Sequence, residues 1–209
     1  LIAGITPVLV GALLAIPLGM IGAWYRRVGE ATMRFMDVLF AFPMVLLAIM
    51  LAALLGPGLL NMILALVVVL VPYNTRVVYA SACQQRNLAY IEAARAAATP
   101  SYKILFVEML PNVVAESVVY SSTIVGSVVI TAAGLSFLGL GVQPPTPEWG
   151  IMTSEGRAYI FVAPHIAALP GIVITVLVIA FNLLGDALRD SLDPRTRLRL
   201  VKHRRMEAA

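Results

Sequence analysis

The stretch VLFAFPMVLLAIMLAALLGPGLLNMILALVVVLVPYNT, residues 38–75, contains no Asp, Glu, Lys or Arg. A helix needs roughly 20 predominantly apolar residues to cross the ~30 Å hydrocarbon core of a bilayer. This run is about twice that length, and Gly56-Pro57-Gly58 breaks it near its middle with a strong turn signal. One uncharged stretch therefore reads as two membrane spans joined by a tight turn. Outward from it, residues 1–25, 117–147 and 158–185 are also free of charge. Together these stretches predict five spans, at about 1–24, 36–55, 59–79, 112–135 and 160–184.

Composition points the same way. Of 209 residues, 60% are hydrophobic and only 12% charged, with a mean hydropathy of +0.92. A soluble domain of this length could not hide that much apolar surface in one core. Unbroken apolarity favours helices over the weak alternation of a membrane barrel. The expected fold is all-α: a polytopic helical membrane protein with about five transmembrane helices and short helices in its polar connections.

The single Cys83 excludes a disulfide within the chain and a zinc cluster built from cysteines. The net charge of +4 is not spread evenly. Arg26, Arg27 and Arg34 lie between the first two spans, and Arg76, Arg86, Arg95 and Lys103 around the next connection. Arg189, Arg195, Arg197, Arg199, Lys202, Arg204 and Arg205 follow the last span, leaving only Arg157 on the other side. Fourteen of fifteen basic residues thus share one face, which the positive-inside rule makes cytoplasmic. The basic tail, 186–209, reads as a topology and lipid-contact signal, not as a nucleic-acid site. With that tail inside and five spans, Leu1 is expected on the outer side, with at least one further span upstream. The first segment is too long, and too poor in basic flanks, for a cleavable signal.

The outer connections are Gly56-Pro57-Gly58 and a longer extracytoplasmic loop, 136–159. The latter contains FLGLGVQPPTPEWG (137–150), too rich in Pro and Gly for a continuous helix. It is either a plain connector or a cap over the outer helix ends, with Trp149 at the interface.

The inner excursion, 81–111, is the most informative connection. Asn87 reads as the N-cap of a helix running through Ala98. Thr99-Pro100 reads as a second N-cap with proline at the first helical position. A short helix carrying Ile104, Leu105, Phe106, Met109 and Leu110 would follow, ended by Pro111, which starts the fourth span. Glu92 sits early in the first helix, where its dipole favours a carboxylate. Ala93, Ala94, Ala96, Ala97 and Ala98 leave that helix thin enough to enter a groove on another protein. From the residues alone, a helical surface loop with no partner explains it as well.

The segment EAARAAATPSYKILFVEMLPN (92–112) resembles the Glu-Ala-Ala loop of permease subunits of binding-protein-dependent ATP-binding-cassette importers. Glu92, Ala93, Ala94, Leu110 and Pro111 match that pattern, whereas Ala98 stands where the family carries Gly. Glycine enters the left-handed region freely and alanine does not, so Thr99-Pro100 is expected to supply the break instead. MDVLFAFPMVLLAIMLAALLGPGLLN (36–61), AAGLSFLGLGVQPPTPEWG (132–150) and FNLLGDALRDSLDPR (181–195) are similar to the dipeptide, oligopeptide and nickel branch, in particular its C-type subunit.

This resemblance implies a transmembrane permease domain over 1–185, with 81–111 as a cytoplasmic coupling-helix loop, in a bacterial inner membrane. It further implies a paralogous permease subunit, two ATP-binding-cassette ATPase subunits and an extracytoplasmic solute-binding protein as partners. The chain has no G-x-x-x-x-G-K-[ST] loop, so it is expected to be no enzyme. It should bind no cofactor itself, with ATP and magnesium held by the ATPases. Glu92, Ala93, Ala94, Ala98, Leu110 and Pro111 are the expected ATPase-coupling residues, and small peptides the expected solute, with nickel or another small solute as the alternative.

Polar groups inside or beside spans usually face the bundle or a water cavity. Tyr73, Asn74, Tyr120 and Asn182 are therefore candidates for the solute path, with Asp37 and Glu116 near the inner ends. Asp186 and Arg189 have the spacing of a helical ion pair. Ser122, Gly126 and Gly134 form a small-residue face suited to close packing, with the partner permease as one expected neighbour, and not a ligand site. An ion-coupled secondary transporter would equally bind solute at mid-membrane. An intramembrane protease would use Ser136 and His165, but Phe137 stands where such a serine site wants glycine. His165, His203 and the scattered methionines do not have metal-site spacing.

Overall fold

The computed structural model describes residues 1–192; residues 193–209, with most of the basic tail and His203, lie outside it. Among the described residues the fold is helical, without strands. The long elements are α1 (Ile2–Trp24), α4 (Leu59–Arg86), α7 (Leu110–Phe137) and α9 (His165–Leu192). The shorter ones are α2 (Arg26–Phe40), α3 (Met44–Leu55), α5 (Ala89–Ala96), α6 (Ser101–Lys103) and α8 (Trp149–Gly156). Four helices are long and apolar enough to cross a membrane, and α2 with α3 makes up to a fifth as a bent pair.

That bent pair corrects the expected span at 36–55. The chain turns by 87° between α2 and α3, at Ala41-Phe42-Pro43. Pro43 has no N–H and disfavours helical geometry at Phe42. Ahead of it, α2 is amphipathic: Arg26, Arg27, Glu30, Arg34 and Asp37 are exposed, while Gly29 and Met36 are buried. Its buried side lies along α4, with Gly29 by Tyr79, Asp37 by Arg76 and Phe40 by Tyr73, so α2 runs antiparallel to α4. What remains, α3, has 12 residues and reaches only about 18 Å.

Packing fixes the directions. A Cβ on Gly11 would lie 3.3 Å from Leu70, and one on Gly19 would press on Val78. Contacts that advance together along both helices make α1 and α4 parallel, so α2 and α3 must carry the chain back. Gly19 is what lets the two backbones approach: a side chain there would meet Val78 and the amide of Tyr79. Helix α7 returns antiparallel to α4, with Ser136 beside Met62 at one end. Helix α9 descends antiparallel to α7, Val178 lying by Gly126 and Gly185 by Ser122.

Two apolar cores result. One, toward the end that carries the 56–58 turn, joins Val8, Ala48, Met62, Leu66, Val128 and Leu135. The other joins Met20, Val78, Ala82, Ile91, Ile104 and Met109 at the opposite end. Asn74, Thr75, Ser117 and Ser121 are also buried, on the stretches of α4 and α7 between these cores. Asn74 Oδ1, Thr75 Oγ1 and Ser121 Oγ have no hydrogen-bond partner there.

The 137–150 segment folds as a cap. Val142 is buried in the first core, and the Gly58 amide donates to the Gly141 carbonyl at 2.9 Å, tying the two connections together. Trp149 begins α8, whose first turn is capped by the Glu148 carboxylate accepting from the Ile151 amide. Arg157 lies over Phe137 at this end. At the other end Arg95 lies over Trp24, and Arg86 donates to the Ala23 carbonyl. The segregation of basic residues is thus kept in the fold. Helix α9 continues past residue 185 to Leu192, so the basic tail begins as helix.

Candidate functional site

The inner excursion differs from its expected outline in three ways. Asn87 ends α4; the residue before α5 is Leu88, with no side-chain cap, and α5 stops at Ala96. Asn87 is held because its amide bonds back to the carbonyls of Gln84 and Gln85, completing the preceding helix. Pro100 precedes the next helix, which starts at Ser101. Pro111 does stand in the first turn of α7, as expected, but the chain makes no break before it: one helical run extends from Ser101 to Phe137.

Proline is tolerated there because the turn before it is wider. Residues Ile104–Met109 are π-helical, and the Leu110 amide bonds to Leu105, five residues back. A proline ring collides with the carbonyl four residues before it in an α-helix; the wider turn moves that carbonyl aside. The Asn112 side chain also donates to the Glu108 carbonyl, at 3.3 Å.

The real joint lies at Ala97–Pro100. Ala98 has φ +52°, the only positive φ of a non-glycine residue among those described. The Thr99 amide bonds to the Ala94 carbonyl and the Ala98 amide to that of Arg95, each at 3.0 Å. This is the Schellman arrangement, which normally places glycine at the left-handed position. Ala98 therefore makes the left-handed turn itself. The expectation that Thr99-Pro100 would replace it is corrected.

Helix α5 is fixed by its underside. Ile91 is fully buried, between Met20 of α1, Val78 and Ala82 of α4, and Ile104 and Met109 of the long helix. Tyr90 donates to Gln85 at 2.6 Å and accepts from Asn112 at 3.2 Å. The opposite surface is open: Glu92, Ala93, Ala96, Ala97 and Ala98 are exposed, and Ala94 is half-buried. Leu110 packs on the same core as Ile91, whereas Pro111 is exposed. Of the six expected coupling residues, Glu92, Ala93 and Ala98 lie on one accessible ledge. Ala94 and Leu110 support that ledge, and Pro111 belongs to the long helix.

The polar candidates within spans separate into three places. Tyr73 and Tyr120 lie within electrostatic range of each other. Tyr73 also meets the Phe40 ring edge-on, centroids 4.5 Å apart. The Arg76 guanidinium lies over Phe40 at 4.1 Å and forms an ion pair with Asp37. Arg76 and Phe40 were not among the candidates. Arg76 read as one more topology signal, and nothing in a linear pattern joins it to a carboxylate 39 residues away. Asn74 is buried behind this group, its Nδ2 donating to Leu70 at 3.3 Å.

Asn182 lies apart, against Gly126 on the α7–α9 contact. The face formed by Ser122 and Gly126 therefore packs on α9 of the same chain, not on another subunit; Gly134 has no close neighbour. Glu116 is exposed. Asp186 and Arg189 are not paired among the described residues. Ser136 is buried and donates to the Met62 sulfur, while His165 is exposed, so the two form no nucleophile–base pair. Among the described residues no cluster of His, Cys, Asp and Glu could hold a metal ion.

Comparison with known proteins gives a consistent answer. Residues 15–198 match the family described as binding-protein-dependent transport system inner membrane component. The chain is 45% identical over 196 residues to the glutathione transport system permease protein GsiD of Pectobacterium atrosepticum, covering 93% of this chain and 65% of that protein. It is 41% identical over 196 residues to the di/tripeptide transport system permease protein DppC of Pseudomonas aeruginosa, with the same coverage. The chain thus spans 65% of the length of these two relatives. Its fold is similar to a chain of the MetNI methionine ABC transporter in an inward-facing conformation. The TM-score is 0.67 at 15% identity, covering 91% of this chain and 93% of that one.

Proposed function

The chain belongs to the binding-protein-dependent transport system inner membrane components, and from that premise we propose that it is a permease subunit of an ATP-driven importer. It forms half of the solute path, beside a paralogous permease, and couples to two separate ATPases that bind the ATP and magnesium. An extracytoplasmic binding protein delivers solute. The end carrying α5 and Arg86, Arg95 and Lys103 is cytoplasmic, as the positive-inside rule requires.

The observation that carries this reading is the build of the α5 ledge. Its outer surface is made of small residues with Glu92 as its one carboxylate, while Ile91 roots it in the same core as the start of the Ser101–Phe137 helix. A groove on an ATPase that grips Glu92 and the alanines would therefore move that helix with it. Such a contact drives transport only if it differs between the two states of the ATPase pair.

Small peptides are the proposed solute, because the named transport systems of two relatives handle glutathione and di/tripeptides. Nickel import within the same branch has less support, since the described residues offer no metal cluster.

In the reconstituted complex, Glu92→Lys is expected to leave the subunit in the membrane and abolish ATP-dependent uptake. Normal uptake by this variant would remove the coupling role from α5. Uptake without any ATPase, driven by an ion gradient, would instead identify a secondary transporter.

A further inference from the structure

The Asp37–Arg76 pair lies ten residues, about 15 Å, inside the Arg86 end of α4. That is the last turn of the span expected at 59–79, where ionised groups turn toward water, headgroups or protein and not toward acyl chains. Yet the Arg76 and Asp37 side chains are 49% and 58% exposed on this chain. The surface they occupy is therefore one that water, headgroups or another protein covers.

The guanidinium is also held by two neighbours. Its Cζ lies over the Phe40 ring, 4.1 Å from the centroid, Tyr73 meets Phe40 edge-on, and Nη2 donates to Asp37 Oδ1. Among the described residues Asp37 is its sole hydrogen-bond partner. An arginine offers five N–H groups in a rigid fork that matches a carboxylate with two parallel bonds. Held in advance, such a fork loses less freedom on binding.

Resting on the reading of this chain as half of a solute conduit, we propose that Arg76 receives the carboxylate of the passing solute. Asp37 is a positioning residue. It neutralises the guanidinium while the path is empty and holds it in place, leaving N–H groups for the incoming anion. The class of ligand is a free carboxylate on a small solute, such as the C-terminus of a short peptide.

A structural ion pair and a carboxylate receiver predict different patterns. In a structural pair both partners matter alike, and exchanging them restores the contact. In a receiver only the cation is indispensable. The test uses the full reconstituted complex, with binding protein and ATPases, and alanyl-alanine as the imported probe. Complex abundance and ATP hydrolysis are followed alongside.

Arg76→Gln is expected to reduce uptake by about tenfold or more, as for a lost charge-assisted hydrogen bond. Arg76→Lys, which keeps charge but not the fork, should raise the KM for transport more than it lowers the maximal rate, and it serves if the glutamine variant fails to assemble. Asp37→Asn should lose less than about threefold. Equal losses in Arg76→Gln and Asp37→Asn, with recovery in the Asp37→Arg, Arg76→Asp exchange, would overturn the proposal in favour of a structural latch. Normal uptake by Arg76→Gln would also overturn it. If wild-type uptake does not require ATP, the conduit reading itself fails, and this inference with it.

Discussion

Two connections at opposite ends of the molecule use the same hydrogen-bond scheme on different residues. At the end of α7 the Leu140 amide bonds to Leu135 and the Gly139 amide to Ser136, with Gly139 at φ +80°. At the end of α5, Thr99 and Ala98 make the equivalent bonds to Ala94 and Arg95, with Ala98 at φ +52°. Each connection also has a buried aliphatic anchor, Val142 in the cap and Ile91 in the α5 ledge. The left-handed turn is thus required by the path of the chain, and glycine is only its least strained occupant. An alanine there costs about 1–2 kcal/mol, and the buried Ile91 is what offsets it.

Removing the anchors tests this most severely. Ile91→Ala should cost about 2–5 kcal/mol, lowering the thermal midpoint of the purified complex and weakening ATP-dependent uptake together. Val142→Ala should cost about 1–3 kcal/mol, seen as a smaller drop in the same midpoint. If the cap anchor proves the more damaging, the two connections are not equivalents. Gly139→Ala should destabilise by about 1–2 kcal/mol, since a Cβ there meets no neighbour and only the backbone angle opposes it. The smallest effect has the opposite sign. Ala98→Gly should be neutral or stabilise by up to about 1 kcal/mol, and a clear loss of stability would show that the methyl group makes a contact of its own.

The apolar spans were readable because length and absence of charge suffice to define them. The prolines were not equally readable. Pro7, Pro17, Pro72 and Pro170 all lie inside continuous helices, and Pro111 follows a π turn without a break. Pro43 instead coincides with the 87° bend at which the amphipathic α2 ends and the apolar α3 begins. A proline in an apolar run therefore carries no fixed meaning until the helix before it is placed. In the candidate site, Glu92 and its alanines were visible as a motif. The root at Ile91 was not, since one buried isoleucine among many has no signature. The Arg76–Phe40–Tyr73 group depends on α2 folding back across α4, which no local pattern encodes.

The uninterrupted helix from Ser101 to Phe137 has 37 residues and is about 55 Å long. Swung about its Ser101 end by about 10°, a rod of that length carries its Phe137 end through about 10 Å. On the proposed reading of the chain as a permease, a modest angular input at the α5 end would become a displacement of solute dimensions at the other end. No joint along those 37 residues is needed to absorb or amplify the motion.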